Sequence, residues 1–429
     1  MKFWDKNDLR DSDVGKGKLV VLGLQHTFTM FGATILVPII LSGFGMNISV
    51  ALFMAGVCTL LFHFITRGGV PIFLGSSFAF IAPIGVAAAA YGLESALGGL
   101  VVAGGIYIVI AVLVYFLGAE KIINWFPPII TGTVIMVIGL GLAPVAIEMA
   151  SMGGGDAVTA TNWLLALMSF AIVVCVSVFM KGFLKVLPVL IGIAVSYIVA
   201  AIITVTGIAP LIDFTPVGEA AWFGFPEFTI AKFDLRAIMV VAPVAICTMV
   251  EHIGDVMAVG AICKRDFIKK PGLHRTLIGD GIGTALSAMF GGPANTTYSE
   301  NTGVLALTRQ FDPNIMRIAA GFAILLGLVP KLGAIISTIP TAIIGGISIV
   351  LFGMIASIGA RTLVENKVDF TKSRNLIIGA VILVLGIGNA AVPFSIGSVD
   401  FSIEGMALAA IVGVILNQIL PGKEKYARD

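Results

Sequence analysis

Twelve stretches of about twenty mostly apolar residues follow one another along this chain, separated by short polar segments. A stretch of that length crosses the hydrocarbon core of a bilayer as one α-helix. Soluble domains are about a quarter charged, whereas this 429-residue chain is 58% hydrophobic and 12% charged. Because no soluble core could absorb that much apolar surface, the sequence predicts an all-α polytopic membrane protein. The windows lie near 18–40, 48–66, 94–118, 121–145, 162–180, 185–207, 235–260, 272–290, 315–335, 338–358, 375–393 and 402–421.

Two weaker segments, 69–90 and 291–310, are interrupted by glycine, proline and hydroxyl residues. Counting both gives 14 transmembrane segments, seven in each half. With the N-terminus inside, the predicted cytoplasmic segments hold 23 of the 26 Lys and Arg residues, as the positive-inside rule requires. Omitting either weak segment would place every later basic loop outside. We therefore expect a multi-pass protein of the inner (cytoplasmic) membrane with both termini in the cytoplasm.

The two halves are joined by a long external segment. We expect a cytoplasmic N-tail (1–17), a first repeat (18–207), an external linker (208–234), a second repeat (235–421) and a cytoplasmic C-tail (422–429). The aromatic residues of the linker suit the membrane–water interface. A part in capturing substrate is the alternative role for this linker.

Short motifs of the first half recur in the second half in the same order. Two halves of seven spans each have opposite topology, because seven is odd, and so form a 7+7 inverted repeat. The matched motifs are Leu24-Gln25-His26 with Val250-Glu251-His252, Gly75-Ser76-Ser77-Phe78 with Asn295-Thr296-Thr297-Tyr298, and Pro127 and Gly132 with Pro340 and Gly345.

The two interrupted segments, spans 3 and 10, are predicted to be broken helices. Pro71 and Pro293 do not fit ordinary helix interiors, and the hydroxyl pairs that follow them suit the start of a helix. We expect a short extended strand and then a half-helix in each segment, with the two strands paired across the repeat axis. The half-helix starts would then present N–H donors near the midplane, where a small, flat, carbonyl-rich or anionic ligand fits. Two merely kinked helices are the alternative.

Three acidic residues lie within predicted spans, where carboxylates are costly and usually functional. Glu251 and Asp255 are four residues apart and share one helical face, and Glu300 falls in the first turn of the second half-helix. Carboxylates that share an apolar cavity cannot easily all ionise, so at least one should hold a proton near neutral pH. A group that is protonated in one state and pairs with substrate in the other would couple proton flux to transport.

Other polar residues receive structural interpretations. Asp280, between glycines, is predicted to pack or cap a helix, and His26 and His252 are predicted to form helix–helix hydrogen bonds. The four cysteines have no metal-binding spacing, and no phosphate-binding loop, zinc-protease or nucleophile-elbow motif is present. We therefore expect no cofactor and no metal. A net charge of +2 without a basic block gives no indication of nucleic-acid binding.

Five motifs resemble the nucleobase–ascorbate transporter family (nucleobase:cation symporter-2), and within it the bacterial uracil permeases. The resemblance covers almost the whole chain, and NTTYSEN is its most specific part. The motifs are FGATILVP (31–38), FLGSSFAFI (73–81), VEHIGDV (250–256), NTTYSENTGV (295–304) and VENKVDF (364–370).

The resemblance implies a proton-coupled uracil symporter, with protons as the coupling ion and no enzymatic activity. It implies a core domain of spans 1–4 and 8–11, and a gate domain of spans 5–7 and 12–14 through which a homodimer forms among membrane lipids. Glu251, Asp255 and Glu300 would be the groups available for proton coupling. The implied substrate-binding residues are Ala33, Phe78, Glu251, Tyr298, Ser299, Glu300 and Phe352.

Three residues depart from the uracil-permease pattern and keep other functions open. In one uracil permease of this family, a histidine stands at the position of Asp255, a glycine at that of Ser299 and a gate tyrosine at that of Phe352. Because purine-transporting relatives commonly carry an acid at the position of Asp255, a proton-coupled xanthine or urate permease is the main alternative. An anion exchanger or channel would need a basic residue at the half-helix starts. A membrane enzyme would need a nucleophile–base pair or a metal set beside the acids.

Overall fold

The computed structural model describes residues 15–153, 158–396 and 399–422, which form nineteen α-helices in chain order. They are α1 (Lys16–Ile40), α2 (Ile48–Ile65), α3 (Ile81–Tyr91), α4 (Leu93–Leu117), α5 (Ala119–Ile123), α6 (Pro128–Gly141), α7 (Ala143–Met152), α8 (Ala160–Phe179), α9 (Pro188–Val205), α10 (Thr215–Glu219), α11 (Leu235–Val241), α12 (Ala245–Cys263), α13 (Leu273–Met289), α14 (Ser299–Thr308), α15 (Pro313–Gly327), α16 (Pro330–Ser337), α17 (Thr341–Glu365), α18 (Ser373–Ile387) and α19 (Gly405–Ile419).

Short strands and tight helical turns complete the described chain. The strands are β1 (Leu74–Ser76), β2 (Asn295–Thr297), β3 (Ala391–Ile396) and β4 (Val399–Glu404). Tight 3₁₀ turns lie at Ser42–Phe44, Phe78–Phe80, Gly182–Val186 and Ala242–Val244. A wider, π-helical segment, kinked at Lys270, lies at Ile268–Gly272.

The prediction of a mostly helical, polytopic membrane protein is confirmed. Eight helical stretches within the described ranges are long and apolar enough to cross a membrane, or nine if α15 and α16, which are bent by 78° at the break between Gly327 and Pro330, are one span. Helices also occupy the other predicted windows, but these are shorter or more polar. The predicted tails, 1–17 and 422–429, fall outside the described residues except at 15–17 and 422.

The prediction of an all-α chain is wrong at one place that the sequence analysis missed. β3 and β4 pair antiparallel between α18 and α19, from Ala391 opposite Glu404 to Ile396 opposite Val399. The chain there alternates apolar and other residues, which is the pattern of a strand rather than a helix. The resulting hairpin packs against α11.

β1 and β2 form a second, separate sheet. Leu74 lies opposite Thr297, Gly75 opposite Thr296 and Ser76 opposite Asn295, in antiparallel register. All six residues are buried. Each strand is followed by a tight helical start, so the two interrupted segments meet through their backbones inside the protein.

The helices pack into two groups, and in each group a pair of glycines lets two helices come into close contact. In the first group α13 packs against α4 and α2, and α15 against α2 and α1. In the second group α17 packs against α6, α7 and α8, and α18 against α6 and α19. A Cβ on Gly104 would lie 2.4 Å from the Gly281 carbonyl oxygen, and a Cβ on Gly281 would lie 2.7 Å from that of Gly104. A Cβ on Gly132 would lie 2.8 Å from the Gly359 carbonyl oxygen, and a Cβ on Gly359 would lie 2.5 Å from that of Gly132. Small residues therefore let α4 approach α13, and α6 approach α17, at backbone distance.

The segment between α9 and α11 crosses the first group of helices and is tied to it. It carries the exposed aromatic residues Trp222, Phe223 and Phe225, and Lys331 stacks on the Trp222 ring at 4.9 Å. Its backbone hydrogen bonds to the group are Lys331 N–H to Ala221 (3.0 Å), Gly224 N–H to Leu328 (3.2 Å), Ala231 N–H to Met289 (3.3 Å) and Lys232 N–H to Glu94 (2.8 Å).

Candidate functional site

The paired strands bring two helix starts together inside the protein. After β1 the chain enters the turn Phe78–Phe80 and then α3, and after β2 it enters α14 at Ser299. The N–H groups at a helix start have no acceptor within the helix, and the helix dipole makes that end positive. The sheet therefore presents two sets of backbone donors close to one another.

α12 carries two carboxylates beside these helix starts. The Asp255 carboxylate accepts two hydrogen bonds, from the Thr297 hydroxyl at 2.6 Å and from the Ser299 hydroxyl at 2.8 Å. Those hydroxyls flank the junction between β2 and α14. Asp255 therefore joins α12 to the start of the half-helix.

Glu251 and Glu300 form an acidic cluster with Asp255. The carboxylates of Asp255 and Glu300 both lie close enough to interact electrostatically with that of Glu251. All three residues are half-buried, as is Ser299, so the cluster borders an opening. Among the described residues, no side chain donates a hydrogen bond to Glu251, which leaves that carboxylate free to accept one from a ligand.

Phe78 connects the helix starts with the second group of helices. Its ring meets that of Phe352 on α17 edge to face, with the centroids 6.0 Å apart. Phe78 is 8% exposed and Phe352 is 1% exposed. Ala33, on α1, is also buried and precedes Thr34, whose carbonyl accepts a 2.8 Å hydrogen bond from the Ser76 hydroxyl.

Tyr298 lies behind the strands. Its hydroxyl donates a 3.1 Å hydrogen bond to the Ser76 carbonyl, and only 3% of the residue is exposed. A Cβ on Gly75 would lie 2.4 Å from Cζ of this ring. The ring therefore covers β1, which is possible only because Gly75 has no side chain.

Two buried polar contacts lie on the far side of these elements. Nδ1 of His252 is 3.2 Å from the Asp280 carboxylate, and both side chains are fully buried. The Asn301 amide nitrogen lies 3.3 Å from Nδ1 of His26. Asn301 and His26 thus make the expected hydrogen bond between α14 and α1, whereas His252 and Asp280 join α12 to α13 at ion-pair distance without the expected hydrogen bond. The pairing of Asp280 with His252 was missed, because sequence spacing does not reveal contacts between helices.

Within the part of the chain that the structure describes, no group of three or more His, Cys, Asp or Glu residues is arranged to hold a metal ion. The site combines backbone donors, an aromatic ring and two carboxylates, those of Glu251 and Glu300, to which no described side chain donates a hydrogen bond. Such a set suits a small planar molecule with both donors and acceptors.

Comparisons with known proteins agree with this picture. The chain matches the Permease family (Xan_ur_permease) over residues 17–395. It is 46% identical over 407 residues to "Probable uracil permease" of Haemophilus influenzae, covering 95% of each chain. It is 45% identical over 419 residues to "Uracil permease" of Bacillus caldolyticus, covering 96% of this chain and 94% of that one.

A solved structure shares the fold. The transmembrane domain of the cyanobacterial bicarbonate transporter BicA superposes with a TM-score of 0.63 at 17% identity, covering 94% of this chain and 97% of that chain. The family resemblance expected from the five sequence motifs is confirmed.

Proposed function

This chain belongs to the Permease family, and from that premise we propose that it is a proton-coupled uracil symporter of the cytoplasmic membrane. It is a transporter and not an enzyme. The uracil permeases named above match it over more than nine-tenths of its length, which supports uracil as the substrate.

One observation carries the proposal at the level of chemistry: the pairing of β1 with β2 sets two helix starts beside the carboxylate of Glu251. Uracil is planar and alternates N–H donors with C=O acceptors around its ring. Backbone N–H groups at Phe78 and at Ser299 or Glu300 would bind its carbonyls, and Glu251 would accept from its N–H groups. Charge-assisted hydrogen bonds of this kind contribute about 1.5–3 kcal/mol each, so a few of them give micromolar affinity.

The side chains around these groups would shape the pocket. Phe78 forms an aromatic wall and Phe352 closes it from α17, with Ala33 behind the strands on α1. Tyr298 supports the wall through β1 rather than facing the ring of the ligand. Ser299 contributes its backbone N–H, while its hydroxyl holds Asp255.

The coupling proton would be carried by the acidic cluster. Both carboxylate oxygens of Asp255 already accept hydroxyl hydrogen bonds, and no neighbouring described side chain bonds Glu300. Glu300 is therefore the better candidate for taking up and releasing a proton. No cofactor is required for this cycle.

The local two-fold axis of the β1–β2 ladder is compatible with a 7+7 inverted repeat of fourteen spans, which we propose from the motifs that recur in the two halves. A two-fold axis through the Gly75–Thr296 pair relates Leu74 to Asn295 and Phe78 to Ser299. The alignment of the halves by sequence matched Phe78 with Tyr298, so the axis shifts that alignment by one residue. On this proposal the repeats are 18–207 and 235–421, joined by the linker 208–234, and both termini are cytoplasmic.

The two groups of helices match the proposed moving parts. The core domain comprises spans 1–4 and 8–11, and the gate domain comprises spans 5–7 and 12–14. The core would rock against the gate to alternate access, and the gate domain, surrounded by lipid, would form the homodimer contact.

The direct test is uptake of labelled uracil into proteoliposomes with and without an imposed pH gradient. We expect uptake to accelerate when the outside is acidic. Uptake that ignores the gradient would contradict proton coupling, and absence of uptake would contradict the substrate.

A purine substrate is the second candidate, and the acid at Asp255 is the observation that favours it. Competition of labelled uracil uptake by unlabelled xanthine separates the two. We expect excess xanthine to leave uracil uptake nearly unchanged, whereas a purine permease would be inhibited strongly.

A further inference from the structure

The β1–β2 sheet has only two strands, and both of its outer edges lie inside the protein. Backbone N–H and C=O groups that cannot reach water in a membrane need partners within the protein. In an ordinary sheet a third strand would satisfy such an edge. Something else must therefore satisfy the outer edge of each strand.

The ladder identifies which groups point outwards. Tyr298 N–H donates to the Phe73 carbonyl (3.1 Å), and Ser77 N–H donates to the Ala294 carbonyl (2.8 Å). Hydrogen-bonded and non-bonded pairs alternate along an antiparallel ladder. Leu74 therefore turns its N–H and C=O away from β2, and by the same alternation Asn295 turns its own groups away from β1.

One threonine hydroxyl satisfies both outward groups of Leu74, and a second threonine hydroxyl satisfies both outward groups of Asn295. Thr59 of α2 accepts from Leu74 N–H at 2.9 Å and donates to the Leu74 carbonyl at 3.2 Å. Thr284 of α13 accepts from Asn295 N–H at 3.3 Å and donates to the Asn295 carbonyl at 2.8 Å. A hydroxyl can do this because it is both a donor and an acceptor.

The two threonines are equivalent under the local two-fold axis of the sheet. Leu74 and Asn295 are related by that axis, and each is held at both backbone groups by a buried threonine, Thr59 at 0% and Thr284 at 1% exposure. The helices that carry them touch at the preceding residues, where the Cys58 thiol lies 3.1 Å from the Gly283 carbonyl. The same arrangement thus occurs once on each edge.

We propose that Thr59 and Thr284 are a matched pair of positioning residues that fix the register of the strands and, through it, the substrate-binding N–H groups. The inference rests on the proposed function, because it assumes that uracil binds at the helix starts. Phe78 follows Leu74 by four residues, and Ser299 follows Asn295 by four. If a strand loses the hydrogen bonds at its outer edge, the substrate-binding N–H group four residues further along the same segment is expected to shift.

The test compares valine, which keeps the shape of threonine, with serine, which keeps the hydroxyl. Thr59→Val and Thr284→Val should each weaken uracil binding to the purified protein about tenfold, because each leaves buried backbone groups unsatisfied. Thr59→Ser and Thr284→Ser should bind within about threefold of wild type. Thr66→Val is the matched control: Thr66 is equally buried on the same part of the chain, but its hydroxyl bonds only Phe62 within its own turn.

Affinity is measured by titration calorimetry, together with the thermal unfolding midpoint of each variant. Valine variants that unfold earlier but bind uracil normally would overturn the positioning role and leave a purely structural one. If a valine variant is not recovered folded, the double variant Thr59→Ser/Thr284→Ser decides, since loss of affinity with both hydroxyls present would also overturn the inference. Wild-type protein that binds no uracil would instead refute the proposed function itself.

Discussion

The Thr297 hydroxyl lies 2.6 Å from the Asp255 carboxylate, which also accepts a 2.8 Å hydrogen bond from Ser299. The carboxylate on α12 thereby holds both residues that flank Tyr298, where β2 ends and α14 begins. Its contacts are those of a group that organises the helix start, and this distinguishes it from its two acidic neighbours.

Asp255→Asn tests that distinction. Asparagine has one acceptor oxygen in its side chain, so one hydroxyl loses its partner, and we expect uracil affinity to fall about tenfold. The remaining uptake should still respond to a pH gradient in proteoliposomes. A variant with normal affinity that no longer responds to the gradient would identify Asp255 as the proton carrier.

Glu300→Gln should separate exchange from proton-driven uptake. Glutamine imitates the protonated carboxyl group, so we expect uracil–uracil counterflow to continue while stimulation by an acidic exterior disappears. Counterflow and gradient-driven uptake are measured on the same vesicles. Stimulation that persists in this variant would show that Glu300 does not carry the coupling proton.

Glu251→Gln should abolish most uracil binding without unfolding the protein. The loss of charge-assisted hydrogen bonds to the ligand is expected to weaken binding about tenfold to a hundredfold. Glu94→Gln is the control, because its carboxylate pairs with the exposed Lys232 away from the site. Equal affinity of wild type and Glu251→Gln would refute the assignment.

Gly75→Ala should displace the Tyr298 ring, because the added Cβ would lie 2.4 Å from Cζ. Overpacking of this kind costs about 1–3 kcal/mol, so we expect an earlier thermal unfolding midpoint and weaker uracil binding. Gly85→Ala on α3 is the control, since its Cβ would find no atom closer than 3.9 Å. A Gly75→Ala protein as stable as the control would contradict the packing described here.

Asp234 gives a pH-dependent prediction outside the membrane. It caps α11 by accepting from the N–H groups of Arg236 and Ala237, and the Arg236 side chain together with these bonds lowers the pKa of its carboxyl group. Because the pKa of this carboxyl group is lower in the folded protein, ionised Asp234 stabilises the cap at pH values above its unfolded pKa. This stabilisation is lost as the pH falls through the folded pKa. Amide exchange at Ala237 should therefore accelerate, relative to intrinsic rates, only in acid; in Asp234→Asn protein this acid-dependent step should be absent.

The sequence allowed the apolar windows and the approximate positions of the interrupted segments to be predicted, since proline and glycine act locally. It did not allow the register of β1 against β2 to be predicted. The alignment of Ser76-Ser77 with Thr296-Thr297 followed side-chain likeness, whereas the backbone pairs Gly75 with Thr296. Register depends on which residues can approach across the ladder, and here the Tyr298 ring packs diagonally over Gly75, where a side chain would collide with it.

The β3–β4 hairpin was missed although a signal was present. Apolar residues alternate at Val392, Phe394 and Ile396, and again after Gly397-Ser398, which is the two-residue pattern of a hairpin. Hydropathy windows average over such alternation and extend the neighbouring spans into it. Contacts between distant helices, such as His252 with Asp280, leave no trace in one sequence, because they are set by packing.

The ties of the segment between α9 and α11 also bear on how far the two helix groups could move apart. Within this segment α10 packs on α16, and residues from Ala221 onward are hydrogen-bonded to the first group. On the proposed rocking motion, this connection would be extended only within residues 206–214. Nine residues can extend to about 30 Å. The two groups are also joined by residues 338–340, between α16 and α17, which can extend to only about 10 Å. If the groups rock as proposed, this short link would restrict their separation far more than the long segment does.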